Sequence, residues 1–204
     1  MFQKFFRERS RKCLKESRFE HLFNTCKELD EYVVFDTETT GLNPKKDEIL
    51  SIGAVKIKGN KILTDNMLSL YLKPSKEVNI QSIKIHQIRN IDLENALEPH
   101  DGIEQFLDFI GPLPLVGYYL GFDVAMINRY IKPWLGIKLP NKQIEVSNIY
   151  HDKKIKAIPG EVIDLRFDTI MKELNLPVFG KHDAINDALM TAMIFVKLLH
   201  VNKL

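Results

Sequence analysis

The texture of apolar and polar positions changes at Tyr32. Upstream, Phe2, Phe5, Phe6, Leu22, Phe23, Cys26 and Leu29 recur at spacings of three and four with charges between them, so residues 2–30 are expected to be helical. Downstream, "YVVFDTET" is β-branched and aromatic and predicts a first strand. "ILSIGAVKIKGNKI" predicts a second, running into a Gly59-Asn60 turn, and "MLSLYLKP" a third, stopped by Pro74. Helical spacing returns around 80–90 and 103–110. "PLVGYY" is a short apolar strand, and "FDVAMINRYIKPWL" begins a helix that Pro133 should end or kink. Residues 141–164 carry little pattern, and 167–175 and 183–200 read as helices. A three-strand meander followed by alternating helices and strands is an α/β domain with a mixed sheet. The expected organisation is a basic helical extension over 1–30 and one domain over 31–204, without internal repeats or low-complexity segments.

Composition changes this picture little. Among 204 residues, 45% are apolar and 27% charged, ordinary values for a globular protein, and the net charge is +2. Distribution says more. Lys4, Arg7, Arg9, Arg11, Lys12, Lys15 and Arg18 face only Glu8 and Glu16 within the first 18 residues. That segment reads either as an arm that docks or contacts nucleic acid, or as a solvated helix lying against the domain. Cys13 and Cys26 form no zinc-ligand pattern and fit a reduced, cytoplasmic protein. No apolar run reaches membrane-spanning length, and the basic N-terminus lacks the continuous apolar stretch of a secretory signal.

The chemistry concentrates at three acidic stations. Asp36 and Glu38 alternate on one face at the end of the first strand. Paired carboxylates beside "YVVF" are costly to bury unless a hard divalent cation such as Mg²⁺ or Mn²⁺ offsets their repulsion. Thr39-Thr40-Gly41 follow as a turn able to approach a phosphate or a 3′ end; the plainer alternative is a strand-end turn with surface acids. Asp123 stands where an apolar strand passes through a loop into a helix, a position that an ordinary N-cap would also explain. In "KHDAINDALMTAMIF", Asp183 is a natural N-cap, with His182 just before the helix and Asp187 about one turn inside it. The face made by Ala188, Met190, Thr191, Ala192 and Ile194 suits close packing on a sheet.

These residues resemble the DEDDh 3′–5′ exonucleases, and within them the proofreading epsilon subunit of bacterial DNA polymerase III and its stand-alone relatives. "DTETTGL", "VGYYLGFD" and "HDAIND" carry the resemblance, which extends over about Tyr32 to Leu199. It implies a ribonuclease H-like mixed five-stranded sheet flanked by helices. It also implies that Asp36, Glu38, Asp123 and Asp187 hold two Mg²⁺ or Mn²⁺ ions, with Asp36 bridging them. His182 would take the proton from the attacking water, and the product would be a nucleoside 5′-monophosphate from a 3′ end. Backbone groups of Thr39 and Thr40 would hold the terminal 3′-hydroxyl, and Leu42 would wedge against the last base. His86, in "IHQI", matches a family histidine that precedes Gly-Ile, although Gln87 stands in place of the glycine; a turn or helix-surface role is the alternative. Tyr118-Tyr119 stand where many relatives have His-Asn, either to stack on a base or to fill the core.

The expected partners are 3′ ends of nucleic acid, DNA favoured over RNA, with a possible polymerase or repair partner and no membrane. The chain closes at Leu204 soon after the last motif, which favours a stand-alone or repair enzyme over a replicative proofreader unless the N-terminal arm replaces the missing tail. Two alternatives share the fold: an RNA-directed exoribonuclease and a non-catalytic nucleic-acid-binding module. An HD-type phosphohydrolase, suggested by His151-Asp152 and His182-Asp183, is disfavoured because residues 32–74 read as strands.

Overall fold

Val33, Val34 and Phe35 are all shielded from solvent, and a strand that buries both faces takes the middle of a sheet. This strand is β1 (Glu31–Thr39) of a computed structural model that describes residues 2–25, 30–157, 160, 162–180 and 182–200, with residues 2–6 described as backbone only. β2 (Ile49–Lys58) and β3 (Lys61–Tyr71) complete an antiparallel meander. β4 (Leu115–Gly117) and β5 (Gln143–Glu145) add in parallel on the other side of β1, giving the order β3-β2-β1-β4-β5. The mixed α/β sheet expected from the sequence is therefore present.

β3 begins at Lys61, six residues before the apolar run that announced it. Gly59, with φ of 60°, closes a two-residue hairpin turn that returns the chain directly into pairing. The polar Thr64, Asp65 and Asn66 fall at a register shift between Val55 and Lys56, which is why alternation failed there.

Helices cover both faces. On one side lie α3 (Pro99–Ile110) and α4 (Leu120–Leu135), packed on Val33, Phe35, Ile52 and Ala54. On the other lie α5 (Val146–Ala157), α6 (Phe167–Glu173) and α7 (Ala184–His200), packed on Val34, Val55, Ile57 and Val116. The short α2 (Ile80–His86) sits near the β1–β2 turn, its N-cap Asn79 accepting from the Ser82 N–H at 2.9 Å. Pro133 does not end α4. It stands in the last turn, where the Gly136 N–H still reaches the Lys132 carbonyl at 3.0 Å, and the helix runs two residues beyond it.

The N-terminal segment is not one helix. α1 (Phe2–Lys12) stops, the chain turns, and Ser17–Phe23 forms a 3-10 helix; Cys26 and Leu29 lie outside the described residues. Phe19 and Leu22 are fully buried in the α3–α4 core, and the Phe19 ring meets Trp134 edge-on at 5.0 Å. Tighter winding is what delivers both side chains to that core. Lys15 donates its backbone N–H to Leu135 O at 3.0 Å and its ammonium to Pro133 O at 2.9 Å, satisfying carbonyls that the end of α4 leaves open. Arg18 pairs with Glu104 and Asp108 of α3.

Candidate active site

β1 carries Asp36 and Glu38 on the face that α7 covers, and α7 can close on them because β2 offers no side chain at Gly53. A Cβ at Gly53 would lie 2.2 Å from the carbonyl carbon of Ala184 and the nitrogen of Ile185. α7 opens as expected, with Asp183 Oδ1 accepting from the N–H groups of Ile185 and Asn186, each at 3.2 Å. His182 takes a left-handed backbone, φ 59°, and its N–H donates to Asp187 Oδ2 at 3.2 Å. That unfavourable turn swings the imidazole toward the sheet edge. One ligand-capable atom from each of Glu38, His182 and Asp187 then lies within 4.8 Å of the others.

Asp123 arrives from the opposite face, in the first turn of α4. It is buried, and its Oδ1 accepts from both the N–H and the hydroxyl of Thr37, at 3.1 and 2.6 Å. Thr37 is the residue between Asp36 and Glu38, so one strand end aims two carboxylates at α7 and holds a third from α4. A register shift between Glu38 and Thr39 ends regular pairing there.

The electrostatics are those of a crowded anionic site. Burial first, then repulsion from Asp123, Asp187 and Glu38, raises the Asp36 carboxyl well above the ordinary carboxylate range. Burial and then the charges of Asp187 and Asp123 push Glu38 up to about 8. Burial carries Asp123 to about 7 against the opposing hydrogen bonds from Thr37. No cation side chain among these causes offsets the negative charge, and oxygen donors in this density fit a hard divalent ion.

Two openings reach Asp36 and a third reaches His182. The largest, about 880 Å³, is lined by Asp36, His182, Asp187, Tyr118, Phe167 and Lys172. A polar one of about 310 Å³ lies toward β2 and β3 and includes Ser51, Tyr71, His86 and His182. His86 is 4% exposed rather than a surface residue; its Nδ1 accepts from the Ile88 N–H at 3.1 Å, and its buried Nε2 has no partner among the described residues. Burial lowers its pKa, with nearby His182 acting in the same sense. Gln87 takes the left-handed C-cap of α2, φ 60°, a position glycine fills without strain. The third opening, about 570 Å³, lies toward β4 and β5 and is lined by Leu42, Tyr119, Phe122 and Asp123.

The expected residues Asp36, Glu38, Asp123, His182 and Asp187 thus come to one sheet edge, with Leu42 and His86 at its openings. Thr40 fits less well: its N–H donates to Glu48 O at 2.9 Å and its carbonyl accepts from the Ser82 hydroxyl at 2.8 Å. Both backbone groups of Thr40 are thus engaged within the protein. The Tyr pair divides: Tyr118 is half-buried with its hydroxyl on Leu165 O at 2.9 Å, whereas Tyr119 is exposed. Thr37 and Glu145 were not singled out from the sequence. Glu145 ends β5, and its Oε2 accepts from the Leu120 N–H at 2.9 Å where α4 begins. The signal was a carboxylate closing an apolar strand, as at Asp36, but in "QIEV" the strand is too short to show.

The sequence profile of the family described as Exonuclease matches residues 33–195. The PolC-type DNA polymerase III of Thermotoga maritima is 31% identical over 175 residues, covering 84% of this chain but only 12% of that much longer protein. The DNA polymerase III epsilon subunit of Aquifex aeolicus is 29% identical over 168 residues, 82% of this chain and 80% of the subunit. Escherichia coli exonuclease I, solved in complex with a dT13 oligonucleotide, superposes with a TM-score of 0.66 at 16% identity, over 83% of this chain and 41% of that one; it shares the ribonuclease H-like fold. No helix among the described residues is long and apolar enough to cross a membrane. With the profile spanning most of the sequence, the chain belongs to the Exonuclease family.

Proposed function

We propose that this enzyme removes nucleoside 5′-monophosphates from the 3′ end of DNA, with divalent metal ions held by Asp36, Glu38, Asp123 and Asp187 and with His182 as general base. The observation that carries this reading is the approach of Glu38, His182 and Asp187 within 4.8 Å, beside two further carboxyls whose pKa values are raised. A donor set of carboxylate oxygens suits Mg²⁺ or Mn²⁺. Bound there, a pair of such ions would acidify the attacking water and stabilise the charge on the departing 3′ oxygen.

The remaining chemistry belongs to the chain. His182, at the rim beside Asp187, accepts the proton of the attacking water at an imidazole nitrogen. Thr37 keeps Asp123 oriented through two hydrogen bonds. Leu42, 87% exposed beside the carboxylates, packs against the last base, a contact that accepts any base. His86 and Thr39 contact the terminal nucleotide. The DNA preference draws support from the similarity to polymerase III epsilon and to a structure solved with dT13. The same similarity supports a proofreading or repair role with a polymerase as partner.

The test is digestion of matched 5′-labelled DNA and RNA oligomers with Mg²⁺. DNA should shorten stepwise from its 3′ end, EDTA should stop the reaction, and His182→Ala should lower the rate by about 10²- to 10⁴-fold, the usual worth of a general base. Faster RNA digestion would overturn the DNA reading, and a parental rate in His182→Ala the base assignment. No shortening at high enzyme concentration would leave a binding module.

A further inference from the structure

Tyr119 is a large aromatic residue that the fold holds in the open at a conformational cost. Its φ of 52° and ψ of 32° are left-handed, a region bulky residues avoid. Its side chain is nevertheless 66% exposed, so it gains little burial in return. The surroundings stabilise this conformation: the Tyr119 carbonyl accepts from the Phe122 N–H at 2.9 Å, and Glu145 fixes the next N–H, that of Leu120, at 2.9 Å. Such over-determined strain gathers at sites that grip ligands.

The ring is also braced. Tyr118 meets it at 4.6 Å between centroids and 63° between planes. Tyr118 itself is anchored by its hydroxyl on Leu165 O and by an edge contact with Phe167 at 5.0 Å. Tyr119 lines the 570 Å³ opening with Gly121, Phe122, Asp36, Asp123 and Leu42, the last standing where it would wedge between the final base and the one before it. Apolar side chains beside carboxylates accept the flat face of a base and, without metal, repel a phosphate.

Sheet order decides which base. The pocket of His86 lies on the β2–β3 side of β1, and Tyr119 lies on the β4–β5 side. A strand whose scissile phosphate sits over Asp36, with its last nucleotide toward His86, leaves the β4–β5 side of β1 to the preceding nucleotide, and the exposed aromatic ring on that side is Tyr119. We propose that Tyr119 is the stacking platform for the penultimate base, a specificity-determining contact on the upstream side of the cleavage point. This rests on the exonuclease reading of the same site.

Fluorescence of 2-aminopurine, placed in a single-stranded dT oligonucleotide and bound in Ca²⁺, reads the contact directly. With the probe at the penultimate position, the parent protein and Tyr119→Phe should quench it. Tyr119→Ala should not, and should bind about tenfold more weakly, as expected for one lost base stack. With the probe at the 3′-terminal position, all three proteins should respond alike. Equal quenching of the penultimate probe by Tyr119→Ala overturns the proposal. Loss of response at both positions also overturns it, because Tyr119 would then only shape the cleft. Incubating the same oligonucleotide with the parent protein in Mg²⁺ separates the two readings. Shortening without any dependence of the signal on Tyr119 removes the platform and keeps the exonuclease; neither binding nor shortening removes both.

Discussion

Gly53 of β2 faces Asp36 of β1 in the antiparallel register, and the space where its side chain would stand is filled by the backbone of Ala184 and Ile185. The missing Cβ lets the first turn of α7 lie flush on the sheet, which brings Asp187 to Asp36. Position 53 is therefore a spacing element for the site although it carries no functional group.

Gly53→Ala should consequently damage activity more than stability. Overpacking of this kind costs about 1–3 kcal/mol, whereas displacing a site group by about 1 Å can cost about 10²-fold in rate. Thermal melting and single-turnover cleavage of the same preparation measure the two effects. A parental cleavage rate would show that α7 is not held in place at Gly53.

The raised carboxyls set the pH dependence of the metal-free protein. Glu38 titrates near 8 and Asp123 near 7, above their ordinary values of 4.5 and 3.8, so the folded state binds protons that the unfolded state has released. Stability contributed by these groups is complete below pH 4 and is lost as pH rises toward 8. Melting temperatures in EDTA should fall across that window, and Mg²⁺ or Mn²⁺ should restore them most at the alkaline end. A flat profile in EDTA would contradict the crowding of charge at this edge.

Thr37→Val keeps the shape of the buried Thr37 side chain and removes the hydroxyl that donates to Asp123 at 2.6 Å. The backbone N–H at 3.1 Å remains, so Asp123 should stay in place but turn more freely. Activity should fall by about 10- to 100-fold, the usual cost of losing a group that orients a metal ligand. Thr37→Ser, which restores the hydroxyl, should recover most of the loss in steady-state cleavage assays.

The N-terminal segment should act as part of the fold. Asp123 and Leu135 are separated by about 18 Å along α4 at 1.5 Å per residue, and the segment docks at the Leu135 end. Phe19→Ala should destabilise by about 3–5 kcal/mol, the range for an emptied aromatic site. Arg18→Ala should leave the salt dependence of DNA binding unaltered, since Arg18 is paired with Glu104 and Asp108. A flatter salt slope in that variant would instead make the segment a nucleic-acid contact.

Much of the site was legible because its signals are local. Alternation on "YVVFDTET" puts Asp36 and Glu38 on one face, and "HDAIND" spells a cap followed by an acid one turn later. These are properties of a strand and of a helix start, set by neighbours within a few residues. β5 and α5 were not legible, because a three-residue strand has no period to detect and α5 shows almost no segregation of apolar and polar residues. Residues 2–30 misled for the opposite reason: their helical spacing is real, but Phe19 and Leu22 answer to the α3–α4 core rather than to one continuous helix.

The amino-acid sequence by itself determined which strand carries the paired acids, which helix carries Asp187, and that the domain is α/β. Tertiary structure alone decided that Thr37 holds Asp123 from 86 residues away, that Tyr118 is anchored while Tyr119 stands open, and that Gly53 admits α7. The physical reason is range. Face and cap preferences come from backbone geometry repeated every two or four residues, whereas these contacts exist only once separate elements have packed.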